Sequence, residues 1–99
     1  MDQAGVYASV LHYLKAVDAL KGKETAAVMA KMREIPTEDP LFGKGQLRID
    51  GRVTHDMYLY QVKTPAESKY KYDYYKLLET IPADQAFRPL AEDHCPLVK

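Results

Sequence analysis

Ninety-nine residues carry fourteen basic and fourteen acidic side chains, 46% hydrophobic content, eight Tyr and no Trp. That makes one domain at most, with enough apolar chain for a usable core and too much for a disordered segment. The charges cancel without any block of like sign, which argues against nucleic acid or an anionic membrane surface as the partner.

Gln3 to Lys21 reads as the clearest helix. Val6, Val10, Tyr13, Val17 and Leu20 recur at three- and four-residue spacing, with Tyr7, Leu11 and Leu14 as a neighbouring stripe. Asp2 is placed to cap it, and Lys21-Gly22 supplies a basic last turn and a C′ glycine. The two stripes make an apolar arc wider than a surface helix needs, so this helix expects neighbours on more than one side. Glu24 to Glu34 is a shorter, more polar helix with Val28, Met32 and Ile35 on its buried side, stopped by Pro36. Pro36 to Lys44 reads as a loop with Leu41-Phe42 as an apolar plug.

Gly43 to Thr64 reads as a turn, a short strand, a reversal at Asp50-Gly51 and a long second strand. A two-residue turn would set Ile49 against Arg52 and mix apolar with polar. A three-residue loop, Ile49-Asp50-Gly51, places Gly51 at a left-handed position and Leu47 opposite Val53, on the side shared with Met57 and Leu59. From Met57 to Val62 both sides of the strand are apolar, and such strands are covered on both sides. Thr64 to Tyr72 is a loop opened by Thr64-Pro65. Tyr74 to Ile81 reads as a further strand, with a helix as the competing reading of YYKLLET. Pro82-Ala83-Asp84 starts a turn, and Phe87 to Lys99 is expected to pack as an extended tail. The fold class is α/β, or α+β as an isolated piece.

No catalytic constellation emerges. His55 and Asp56 are adjacent on a strand and face opposite sides, so they cannot orient one another as a dyad. His12, His55 and His94 lack metal-ligand spacing, and no cofactor motif is present: Gly43-Lys44-Gly45 is too short for a phosphate loop. Cys95 beside His94 has no orienting group in sequence. It is either a plain thiol or one half of a bridge whose partner lies outside the chain. No run of about eighteen apolar residues is present to span a bilayer. Met1-Asp2-Gln3 lacks the features of a secretory leader, so the chain as it stands is expected to be cytoplasmic.

The runs QAGVYASVLHYLKAV, VMAKMREIP, GQLRIDGRVTHDMYLYQVKTPAESK, DYYKLLETIPADQAFRPL and CPLVK resemble the C-terminal third of a periplasmic solute-binding protein. The type is the branched-chain amino acid (Leu/Ile/Val) receptor of ABC importers, with the type I periplasmic binding fold. The most specific parts are Asp50-Gly51-Arg52 with His55-Asp56-Met57-Tyr58, and the ending from Thr80-Ile81-Pro82 to Cys95-Pro96-Leu97. The resemblance implies a two-lobed parent, each lobe a parallel sheet flanked by helices, that closes on a small ligand and delivers it to a permease in the periplasm. Residues 1–42 would be a helical part of the first lobe, and 43–99 the hairpin, crossing strand and tail of the second. Ligand contacts would lie mainly upstream; at the start of the first helix Gln3 and Tyr7 are candidates to approach the cleft, with plain packing as the preferred reading of both. With two-thirds of the parent missing, the chain alone is expected not to bind ligand and to self-associate by strand exchange. The alternative is a small self-associating α+β interaction domain. Neither reading is enzymatic.

Overall fold

The first helix turns its smallest side chains, not its largest, toward its neighbour. In the computed structural model, which describes residues 2–98, α1 spans Asp2–Leu20 and buries His12 and Ala16. Ala8 and Leu11 are half-buried beside them. His12 and Ala16 are four residues apart and fall on one face, and a row this small lets α2 (Thr25–Glu34) approach closely. Most of the predicted apolar arc faces away: Val6, Tyr7, Val10, Tyr13, Leu14 and Leu20 are exposed, while Leu11 and Val17 are half-buried. Asp2 opens the helix rather than capping it. The left-handed residue at the other end is Lys21, at φ +53°, not Gly22.

The helix pair is welded by the carbonyls that every helix C-terminus leaves unpaired. At the end of α2, Lys31 O accepts from Ile35 N at 3.1 Å. Met32 O accepts from His12 Nε2 at 2.7 Å, and Arg33 O from Gln46 Nε2 at 2.8 Å. One helix end is therefore closed by its own chain, by α1 and by the sheet. At the start of α2, Glu24 accepts from the N–H groups of Ala26 and Ala27, and these bonds hold its carboxyl below the ordinary value.

Three strands follow in one antiparallel sheet, ordered β1 (Thr37–Asp39), β2 (Gly43–Leu47), β3 (Val53–His55). The expected loop over Pro36 to Lys44 is therefore a hairpin. Asp39 makes it so: its carboxylate accepts from the N–H groups of Leu41 and Phe42, both at 2.8 Å, and Gly43 then takes φ +69°. Phe42 is half-buried, but Leu41 is exposed, so only half of the expected plug is one. The β2–β3 loop has the anticipated three residues. Leu47 pairs with Val53, Arg48 N bonds Arg52 O at 2.8 Å, and Gly51 sits at φ +83°.

The long second strand is not continuous. It breaks at Asp56, and β4 (Met57–Val62) joins β5 (Tyr75–Ile81) in a separate two-stranded antiparallel ribbon. Met57 and Leu59 therefore do not share a face with Leu47 and Val53. YYKLLET is strand, and the pairing skips Leu78, which forms a bulge opposite Leu59 and Tyr60. All of β4, and β5 except Ile81, is exposed. The parallel sheet that the resemblance implies is absent among the described strands, every pair of which is antiparallel. After the ribbon, Ala83–Ala86 forms a short helix, α3, and Leu90–Glu92 a 3-10 turn, where a turn and an extended tail were expected.

The core is small. Among the described residues only Ala16, Val28 and Leu47 are buried hydrophobics. The molecule measures 53 × 33 × 17 Å with a radius of gyration of 16.8 Å, against about 13 Å for a compact domain of this length.

Candidate functional site

The chain passes between the three-stranded sheet and the ribbon twice, at Asp56 and again at Pro82, and the two passes lie side by side because Met57 pairs with Ile81. Around this neck the polar and aromatic groups converge. The His55 ring stacks on Phe42 with centroids 4.4 Å apart and meets Phe87 edge-on at 5.7 Å. Its Nδ1 donates to the backbone oxygen of Asp56 at 2.8 Å. The Asp56 carboxylate turns away and accepts from Ala83 N at 3.0 Å. It thereby supplies the first turn of α3 with the acceptor that Pro82 cannot provide. As the sequence indicated, His55 and Asp56 do not form a dyad. A cleft of about 390 Å³ opens beside them, lined by Phe42, His55, Met57, Tyr58 and Tyr60 among others.

The segment after α3 is tied back to the first sheet. Arg48 Nη1 donates to Arg88 O at 2.7 Å. The same guanidinium forks onto Asp50 and reaches Asp93 at 3.6 Å. Hydrogen bonds from Arg48 hold the Asp50 carboxyl far below the ordinary range. Burial opposes this, while Asp93 and the Arg52 N–H reinforce it. At the far end of the ribbon, Lys63 pairs with the buried Asp73 at 2.7 Å, which also accepts from Lys69 N at 3.1 Å. The Lys63 ammonium and this N–H depress the Asp73 carboxyl. A cleft of about 530 Å³ lies over that loop. Sequence reasoning missed all three ion pairs: Arg48–Asp93 and Lys63–Asp73 join partners ten or more residues apart, which leave no periodic signal, and Asp50 was read only as a turn residue.

A family model described as a periplasmic binding protein matches residues 1–69. The chain belongs to the periplasmic binding protein family. Two solved structures support this over nearly its whole length. A periplasmic binding protein from Burkholderia mallei is 46% identical with a TM-score of 0.90, covering 98% of this chain. A branched-chain amino acid ABC transporter periplasmic ligand-binding protein from Burkholderia xenovorans is 42% identical, again with a TM-score of 0.90 and 98% coverage. This chain spans about a quarter, 26%, of each of those chains. No curated protein matches it.

For a periplasmic binding protein, the two ligand-binding candidates sit apart from the neck. Tyr7 lines a shallow groove of about 320 Å³ on the open face of α1, with Val6, Val10, Leu11 and Leu14. Gln3 lies one turn earlier and is exposed. His94 is exposed, and Cys95 is half-buried in a separate cleft with Ile49, Leu90 and Val98. No group of three or more His, Cys, Asp or Glu that could hold a metal is present among the described residues. No described helix is long and apolar enough to cross a membrane.

Proposed function

We propose that this chain forms part of an ABC importer receptor that captures a branched-chain amino acid, or a small aromatic or carboxylate solute, by closing two lobes around it. The observation that carries the reading is the 42% identity, over 98% of the chain, to a branched-chain amino acid ligand-binding protein. The mechanism is rigid-body closure about a hinge, with no covalent chemistry and no cofactor. The receptor then presents its solute to the importer permease. In this reading the crossing falls at Asp56 rather than after residue 42, because β2 and β3 pair with β1 in the first sheet and the ribbon begins at Met57. Gln3 and Tyr7 are this chain's candidates for contact with the solute, and packing is the alternative for both. The 99 residues alone hold only part of the cleft and do not bind.

The test is a chimera in which residues 1–99 replace the matching quarter of the Burkholderia xenovorans protein. Isothermal titration with leucine, isoleucine, valine and phenylalanine is expected to show binding by the chimera and none by the 99-residue chain. Tight binding by the short chain, or none by a folded chimera whose parent binds, contradicts the proposal. Tyr7→Ala in the chimera weakens binding if Tyr7 faces the solute and leaves it unchanged if the ring only packs. One observation favours the second reading, a self-associating α+β domain: both the outer face of α1 and the ribbon stand uncovered.

A further inference from the structure

Asp56 is the single residue between β3 and β4. The ribbon is exposed except for the half-buried Ile81 at its base, and the first sheet and hairpin meet it only there, beside the cleft that Phe42 shares with Met57, Tyr58 and Tyr60. We infer that the neck is a clamp that limits the swing of the ribbon against the first sheet and holds one resting angle, with His55 and Asp56 as its positioning residues. A lone linking residue leaves two soft dihedrals free to swing. Three contacts take up that freedom. The Asp56 carboxylate ties the outgoing pass to the returning one at Ala83 N, 3.0 Å away. The His55 ring is held between Phe42 of the first hairpin and Phe87 beyond α3. Its Nδ1–H holds the backbone of the pass itself, at 2.8 Å.

The returning pass is itself anchored. Arg48, just after β2, holds Arg88 O at 2.7 Å and reaches Asp93, so a force on the ribbon is resisted by the first sheet at both passes. Leverage makes this matter. A ribbon of six or seven residues reaches roughly 20 Å, so a turn of about 10° at the neck moves its tip by roughly 3–4 Å. A small loosening at His55 or Asp56 therefore changes how far two lobes joined here open and close. The inference deepens the lobe-closure reading and rests on it for its functional consequence.

The test uses the chain itself and no solute. Nitroxide labels at Lys44→Cys in β2 and Lys76→Cys in β5, in a Cys95→Ser background and diluted into an excess of unlabelled chain so that only distances within one copy are read, report the sheet-to-ribbon distance by pulsed electron resonance. The parent is expected to give one narrow distance. Asp56→Ala and His55→Ala each broaden it or add a second distance, whereas Asp56→Asn, which keeps an acceptor oxygen for Ala83 N, stays narrow. Amide exchange in both sheets is followed in parallel. A broad parent distribution, narrow distributions in both alanine variants, or broadening by Asp56→Asn overturns the inference. So does lost protection inside both sheets of Asp56→Ala, because the residue then supports the fold rather than the angle. Failure of this test leaves solute capture by the chimera untouched, and failure of the chimera leaves the neck untouched.

Discussion

Gly45 is the more tightly enclosed of the two glycines in β2. A Cβ there would stand 2.6 Å from Thr37 Oγ1 and 2.6 Å from the backbone oxygen of Thr54. The hydroxyl can rotate away, but the carbonyl is fixed in the ladder between β2 and β3. Gly45→Ala is expected to cost about 1–3 kcal/mol through overpacking, read as a lower urea midpoint. Asp50 makes a different kind of demand. Its folded-state pKa lies well below the unfolded value of about 3.9, chiefly through hydrogen bonds from Arg48. A depressed carboxyl stabilises the fold fully above its unfolded pKa, and that stability is lost as pH falls through the folded one. As pH falls below about 4 this contribution shrinks, and the β2–β3 loop and the segment Arg88 to Asp93 are released together only as pH approaches the depressed folded-state value. Protection of the Gly51, Arg52 and Asp93 amides, taken relative to intrinsic exchange at each pH, is expected to fall there. Asp50→Asn should remove most of the acid dependence, and unchanged acid dependence in that variant would place its source elsewhere.

At the scale of elements, the helices and strands were largely legible, while their partners were not. Periodicity located α1 and α2 to within a residue or two, and turn chemistry settled the Ile49-Asp50-Gly51 loop. Periodicity could not say which face of α1 packs inside this chain. Two faces compete, and the wide apolar one is the open one because His12 and Ala16 give α2 a closer approach. The β1–β2 hairpin was hidden because a single Asp39 side chain, not a Gly-containing dipeptide, builds its turn. The break at Asp56 was hidden because a strand changing sheets keeps its strand composition on both sides. The neck residues were visible as a chemical oddity, His55-Asp56, but the groups they meet lie 13 to 32 residues away, at Phe42, Ala83 and Phe87. One consequence inverts the usual expectation from hydrophobicity. His12→Ala removes the bond to Met32 O at 2.7 Å and should cost about 1–3 kcal/mol. Val10→Ala, on the open face at 50% exposure, should cost within about 0.5 kcal/mol. Thermal unfolding of the two variants side by side decides this, and an equal loss would mean that the outer face of α1 is covered in solution.

For the whole molecule the decisive quantity is surface. The described chain exposes 7767 Å², whereas a folded monomer of its mass exposes roughly 5,700 Å². The excess of roughly 2,000 Å² exceeds the roughly 800 Å² that one partner contributes to a standard interface. Two apolar faces contribute to it, the outer face of α1 with Val6, Val10 and Leu14, and the ribbon with Leu59, Tyr60, Leu77 and Leu78. Two uncovered apolar faces on one small body favour association, and the ribbon adds two open strand edges that template pairing with another chain. By itself the 99-residue chain is therefore expected to be an oligomer at micromolar concentration in light scattering. Leu77→Lys places a charge on the ribbon and Val10→Lys places one on α1, each at a site already about half exposed, so neither should disturb the fold. If strand exchange through the ribbon drives assembly, Leu77→Lys alone shifts the mass toward the monomer while Val10→Lys has little effect. If the α1 faces drive it, the order reverses. A parent chain that stays monomeric and keeps its circular dichroism would remove self-association altogether, leaving the exposed faces as surfaces this chain tolerates in water.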